Sequence, residues 1–245
     1  MPIQFEMQEN KTIILSTGPL DDFLVNKAKE NSIDIDTIPF IHTEAIGTEE
    51  LTKRITDLNQ EKLSIVFTSG NAAKAVAGSL NGIHPDWKIY SIGGTTKDIL
   101  CEHFGKNSIS GVASNASQLA DVILLNKDIK EVIFFCGDQR RNELPDKLSQ
   151  HGINVREIIV YRTTSTPQTI LKAYDGILFF SPSAVHSFFQ NNTIPIKTVL
   201  FAIGQTTVDA IQTYTNNPVV STELPGKEKM IEEVIIYFDT TKHSE

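Results

Sequence analysis

Apolar runs alternate with amphipathic stretches along the whole chain, the signature of strands and helices alternating in an α/β fold. Thr12 to Leu15 reads as a short strand, Ser16-Thr17-Gly18-Pro19 as a turn, Leu20 to Lys29 as a helix and Ser32 to Ile38 as a second, alternating strand. The unit recurs later. Val132 to Phe135 runs into Cys136-Gly137, a helix follows from about Asn142 to Gln150, and Gly152-Ile153-Asn154-Val155 leads to a strand over Ile158 to Tyr161.

A second pair of units repeats more plainly. Ile65-Val66-Phe67-Thr68-Ser69-Gly70-Asn71-Ala72-Ala73 is echoed by Ile177-Leu178-Phe179-Phe180-Ser181-Pro182-Ser183-Ala184-Val185, each a strand, a polar turn and a helix. Ile89 to Thr96 is echoed by Leu200 to Thr207, so that Gly93 recurs at Gly204, 111 residues on. Each half closes on a helix rich in acidic and apolar residues, Ala116 to Leu125 and Glu228 to Phe238. An internal repeat decides architecture, and the two halves are roughly 11–130 and 131–240. Each half holds a short βαβ piece able to pack with the other half's longer piece. The equivalent segments Pro39-Phe40-Ile41-His42 and Val160-Tyr161-Arg162-Thr163 are the natural crossing points, expected as two antiparallel linking strands.

Composition narrows the function. The 245 residues suffice for two domains of about 100 to 120 residues each, and 40% hydrophobic with 21% charged residues is a globular balance. The longest apolar runs fall short of the ~20 residues of a membrane helix, and the N-terminus, Met1 to Glu6, lacks the basic-then-apolar signal pattern. The expectation is a cytoplasmic protein with no membrane partner. A net charge of −8 without a basic run speaks against nucleic-acid binding, so an anionic ligand must be held by local geometry. Cys101 and Cys136 are expected as thiols in a reducing compartment, Cys136 as a buried one. The six histidines show no ligand spacing, and no phosphate loop, dinucleotide fingerprint, zinc-protease, Cys-x-x-Cys or serine-elbow motif occurs.

Open parallel sheets bind ligands at the carboxyl ends of their strands. There the repeat places Thr68, Ser69, Gly70 and Asn71, Gly93 to Thr96, Ser181 to Ser183, and Gly204 to Thr207. Such turns offer backbone N–H groups, hydroxyls and the positive end of a helix dipole to an anion. The same residue types also serve as ordinary caps of any α/β protein. Tyr161 at the crossing is either a phenol able to donate a proton into a cleft or an aromatic packing residue of a linking strand. Of Arg140 and Arg141, one faces an anion or both begin a solvated helix.

The ordered set Phe67-Thr68-Ser69 with Asn71-Ala72, Ile92-Gly93 with Thr95, Gly137 with Arg141, Leu144 and Leu148, then Gly152, Val160-Tyr161-Arg162-Thr163, Phe180 to Val185 and Ala202 to Thr207 resembles the uroporphyrinogen-III synthase family from about Thr12 to Phe238. Gly70 stands where many members carry proline, and Pro225-Gly226 where they often have Pro-Thr. The resemblance implies two similar doubly wound parallel-sheet α/β domains joined by a two-stranded β linker. The first would be discontinuous, 1–38 plus 165–245; the second would span 43–159, and the linking strands 39–42 and 160–164. It further implies a cofactor-free, metal-free, monomeric lyase that converts the linear tetrapyrrole hydroxymethylbilane to uroporphyrinogen III. In that reaction the ring A hydroxyl leaves, the azafulvene is attacked at the substituted carbon of ring D, and a spiro intermediate rearranges with ring D inverted. By the resemblance, Tyr161 assists departure of the hydroxyl. Thr95 and Thr206 match cleft threonines, one in each domain. Ser69, Asn71, Ser181 and Ser183 match substrate-facing turn positions, beside Thr68, and Arg141 matches a basic position at a helix start. The competing class is a non-catalytic bilobal small-molecule binding module, which normally carries an export signal or a DNA-binding helix pair. A single flavodoxin-like or receiver domain lacks the 111-residue repeat.

Overall fold

The structure, a computed structural model, describes residues 11–222 and 226–242; the N-terminal segment Met1 to Glu6, Pro225 and His243 lie outside the described residues. In chain order the elements are β1 (Thr12–Ser16), α1 (Asp22–Glu30), β2 (Ile33–Thr37), β3 (Ile41–Ala45), α2 (Glu49–Asp57), β4 (Ser64–Phe67), α3 (Gly70–Leu80), β5 (Lys88–Ile92), α4 (Thr95–Phe104) and β6 (Ile109–Ala113). There follow α5 (Ala116–Leu124), β7 (Glu131–Gly137), α6 (Glu143–Gln150), β8 (Asn154–Ser165), β9 (Gly176–Phe179), α7 (Pro182–Phe188), β10 (Val199–Ile203), α8 (Gln205–Gln212), β11 (Val219–Thr222) and α9 (Lys227–Lys242).

Short polar side chains start the helices by accepting otherwise orphaned N–H groups. Asp21 takes the N–H of Leu24 at 2.9 Å, Asn115 that of Gln118 at 2.9 Å, Ser69 that of Asn71 at 3.2 Å and Ser181 that of Ala184 at 3.3 Å. Pro182 occupies the first turn of α7, where its missing N–H costs nothing. Helix α3 stops at Asn81, left-handed at φ 45°, whose N–H returns to the carbonyl of Ala77.

The chain divides into two compact units, one of residues up to Ile41 with those from Ser165 onward, the other of His42–Thr164. The first unit carries a parallel sheet in the order β2-β1-β9-β10-β11. The second carries β3-β8-β7-β4-β5-β6, parallel from β8 to β6. Its edge strand β3 runs against β8: Ile46 N–H donates to the Val160 carbonyl (2.9 Å) and Thr166 N–H to the Phe40 carbonyl (2.9 Å), opposite orders along the two segments. Each sheet therefore joins a short βαβ piece of one sequence half to the longer piece of the other. Ile14 pairs with Gly176 in the first sheet, and Val66 with Phe134 in the second.

Parallel strands covered on both faces read as continuous apolar runs, and each sheet here separates two cores. In the second unit Ile65, Phe67, Ile133, Phe135, Ile158 and Val160 pack on one face with α2, α3 and α4, while Val66, Val132, Phe134 and Cys136 pack on the other with α5 and α6. In the first unit Leu15, Ile177, Phe179 and Phe40 face α7 and α8, and Ile14, Leu178 and Phe201 face α1 and α9. Strand β8 differs from expectation: the strand at Ile158 to Tyr161 and the expected linking segment 160–164 form one 12-residue strand. Among the described residues no helix is long and apolar enough to cross a membrane.

Candidate functional site

In the second unit the connections after β7 and β4, neighbours in the sheet, lead to helices on opposite faces, which opens a crevice at their carboxyl ends. Tyr161 lies at that edge. Through Cys136 and Ile159 strands β7 and β8 pair residue for residue; the register then shifts, so that Gly137 pairs with Tyr161 and Val160 is the extra residue. Such a bulge re-aims the side chains that follow it. Ile158 and Val160 share one face, as alternation requires, yet Tyr161 packs against the same core as Val160 instead of crossing to the other side. Without the bulge the phenol would point to the opposite face.

Neighbouring strands lie about 4.8 Å apart, so a ring rooted on β8 reaches the loop after β4 only by passing over β7. The residue beneath it is Gly137. A Cβ there would lie 2.6 Å from Cε2 and 2.7 Å from Oη of Tyr161, closer than real side chains approach. The absent side chain lets the ring lie across the strand. The backbone on either side is clamped: Asp138 N–H donates to the Tyr161 carbonyl (3.2 Å), Thr163 N–H to the Asp138 carboxylate (3.0 Å), and the Gln139 amide to the Thr163 carbonyl (2.8 Å).

Burial pushes the Tyr161 phenol above its ordinary value of 10; the Ser69 hydroxyl acts against burial, and Cys136 and Asp138 add to it. At neutral pH the group keeps its proton. Burial also pushes the Cys136 thiol up to about 11, reinforced by the Glu157 carboxylate and opposed by Arg140, so it is no nucleophile at neutral pH. Arg140 is committed to Glu157, with Nε 2.6 Å and Nη2 2.5 Å from the same carboxylate oxygen, and to the Asn142 side chain. Arg141 is exposed and lies two residues before α6, outside the helix itself.

The other expected residues occupy carboxyl ends of strands in their own units. Thr68 is half-buried, Ser69 caps α3, Asn71 is exposed in its first turn, and Thr95 opens α4, exposed, after Gly94. In the first unit Ser181 caps α7, Ser183 lies in its first turn, and Thr206 is exposed in the first turn of α8. Each exposed threonine is followed by a buried one, Thr96 and Thr207. The segment of the first unit that corresponds to Val160-Tyr161 is Pro39-Phe40, and Phe40 is fully buried against Phe188, ring centroids 5.0 Å apart. The hydroxyl thus occurs on one side of the repeat only. Reading the sequence missed the part of Gly137, whose signal was a glycine closing an apolar strand, and the bulge at Val160, for which pattern carries no signal. A recess of about 510 Å³ lies at the opposite, amino-terminal ends of β4, β5 and β7, near Lys62, Asp86, Lys88 and Glu131, and none of the expected site residues lines it.

The family model described as uroporphyrinogen-III synthase HemD matches residues 22–232. A uroporphyrinogen-III synthase of Saccharomyces cerevisiae is 37% identical over 83 residues, 31% of this chain and 30% of that protein, so the match spans less than a third of the relative's length. The crystal structure of a mutant uroporphyrinogen III synthase from the extremely thermophilic bacterium Thermus thermophilus superposes with a TM-score of 0.67 at 16% identity, covering 96% of this chain and 100% of the other. That of uroporphyrinogen-III synthetase from Helicobacter pylori superposes at 0.61 and 18% identity, covering 93% and 99%. At these identities the superpositions establish the shared α/β fold.

Proposed function

The chain belongs to the uroporphyrinogen-III synthase family, and from that premise we propose that it closes hydroxymethylbilane to uroporphyrinogen III with loss of water and inversion of ring D, in tetrapyrrole biosynthesis. The observation that carries the reading is a proton-bearing phenol, Tyr161, held at the crevice end of a parallel sheet by a bulge and by Gly137. The ring A hydroxyl leaves as water only if it gains a proton, and Tyr161 supplies the hydrogen bond or proton as the C–O bond breaks. The azafulvene so formed is attacked by the substituted carbon of ring D, the spiro intermediate rearranges, and the proton lost from the pyrrole framework restores the phenol. Protons balance over the cycle, with water the only other product.

The rest of the task is positioning, because an octacarboxylate chain must be folded so that the correct carbon attacks. N–H groups and hydroxyls at Thr68, Ser69, Asn71 and Thr95 in one unit, and at Ser181, Ser183 and Thr206 in the other, suit carboxylates without requiring net positive charge. Arg141, exposed at the same strand end as Asp138, suits one more. The working unit in this reading is a cytosolic monomer.

The test is to give purified protein hydroxymethylbilane, oxidise the product and separate the porphyrin isomers. Type III isomer, lost on the order of 100-fold in Tyr161→Phe, supports the reading. Type I alone, the spontaneous product, from folded protein removes it in favour of a binding module.

A further inference from the structure

The geometry points to Asp138 as a positioning residue that acts through Tyr161: its side chain continues the pairing of β8 past the point where β7 turns away, and so fixes the strand at the phenol and beyond it. This role rests on the one proposed for Tyr161.

The pairing of β7 with β8 ends at Gly137 and Tyr161. Its last main-chain bond runs from the Asp138 N–H to the Tyr161 carbonyl, at 3.2 Å. Evenly spaced parallel pairing would next give the Thr163 N–H to the main-chain carbonyl of residue 138, and then the Thr163 carbonyl to the N–H of residue 140. The main chain of β7 does not supply these two partners, because it turns at Asp138-Gln139 and the Arg140 N–H goes back to the Gly137 carbonyl (3.3 Å). Side chains take both places. The Asp138 carboxylate accepts the Thr163 N–H at 3.0 Å, and the Gln139 amide donates to the Thr163 carbonyl at 2.8 Å. Strand β8 therefore runs on to Ser165 while β7 leaves toward α6.

One residue thus holds β8 at two points, the carbonyl of Tyr161 with its own N–H and the N–H of Thr163 with its carboxylate. An N–H bond to an ionised acceptor is the stronger kind. The phenol requires a fixed root, because the bulge at Val160 sets the face on which its ring leaves the strand and Gly137 gives the ring its only room to cross β7. Rotation of the main chain just after Tyr161 would swing the ring, and a leaving group tolerates little misplacement of its proton donor. Packing does not account for Asp138, which is exposed and belongs to neither core of the second unit.

The experiment measures kcat and KM for hydroxymethylbilane in Asp138→Ala and Asp138→Asn, alone and with Tyr161→Phe, and follows amide hydrogen exchange at Thr163 by nuclear magnetic resonance. Asp138→Ala is expected to lower kcat about tenfold with KM unchanged, and to speed exchange at Thr163 by about tenfold. Asp138→Asn keeps an oxygen that accepts the Thr163 N–H and is expected to rescue both. In the Tyr161→Phe protein, which keeps the ring, Asp138→Ala is expected to speed exchange as before and to lower turnover no further. A raised KM at constant kcat, the same loss of turnover with and without the phenol, or failure of Asp138→Asn to rescue would overturn the positioning role. Unmoved exchange at Thr163 in Asp138→Ala would overturn the side-chain continuation of the strand whatever the turnover. Full turnover in Tyr161→Phe would overturn the functional reading instead, and this role with it.

Discussion

Gly137→Ala places one methyl group where the Tyr161 ring now lies. The new Cβ would stand closest to Cζ, 2.6 Å from Cε2 and 2.7 Å from Oη, whereas ordinary contact begins near 3.4 Å, so the ring must retreat by about 1 Å. It cannot retreat freely, because Tyr161 packs on the core built by Phe67, Phe135 and Val160, and its backbone is tied to Asp138 on β7. Forcing an extra carbon into such a site costs about 1 to 3 kcal/mol. A shift approaching 1 Å in a group that must meet a leaving hydroxyl costs on the order of 100-fold in turnover. Urea unfolding and isomer-resolved turnover of hydroxymethylbilane measure the two effects. Repeating Gly137→Ala in a Tyr161→Ala protein removes the ring, and the stability cost is then expected to fall below about 0.5 kcal/mol, the coupling that contacting residues show. Wild-type stability and turnover in Gly137→Ala, or an equal cost with and without the ring, would refute the reasoning.

Thiol labelling at pH 8 is expected to modify Cys101, which is partly exposed, and to spare Cys136, whose thiol at about 11 is almost wholly protonated; equal labelling rates would contradict the burial argument. Asn192 ties the segment before β9 to α7, its amide donating to the carbonyls of Gln168 (2.7 Å) and Phe188 (2.8 Å) and accepting the Ile170 N–H (2.7 Å). Asn192→Ala is expected to cost about 2 to 4 kcal/mol by urea unfolding, because buried partners are left unpaired; a loss under about 0.5 kcal/mol would contradict it. Tyr174, which donates to Asp36 at 3.0 Å, has its phenol pushed up to about 12 by burial and then by Asp36. A raised value means that the native state binds the proton more tightly, so this contribution is whole below pH 10 and is lost as pH rises through 12. The urea midpoint is expected to fall over that window in the wild type and to fall less in Tyr174→Phe; identical slopes would contradict it.

The repeat, the exchange of βαβ pieces and the parallel sheets were legible because Ile65 to Phe67, Val132 to Cys136, Ile177 to Phe179 and Leu200 to Ala202 are covered on both faces and so read as unbroken apolar runs. The capping serines were legible because Ser69 and Ser181 follow those runs at a fixed distance. Strands β6 and β11 escaped notice: each is an edge strand, and Ser110, Gly111 and Ser221 blur the alternation. The start of β8 was equally hidden, since Asn154, Arg156 and Glu157 before the apolar stretch carry no strand pattern, although the pairing with β7 begins at Asn154. The candidate site was legible as a roll of polar turn residues, not as a geometry. The Tyr161 ring lies across β7 because one extra residue enters β8 at Val160 and because position 137 has no side chain, and neither cause has a hydropathy signature.

Incubation of the purified chain with hydroxymethylbilane, followed by oxidation and chromatographic separation of the porphyrin isomers, tests the central claim most directly. The account predicts mostly type III isomer from the wild type and a shift toward the spontaneous type I isomer in Tyr161→Phe; type I alone from folded wild-type protein, or undiminished type III formation in Tyr161→Phe, would contradict it.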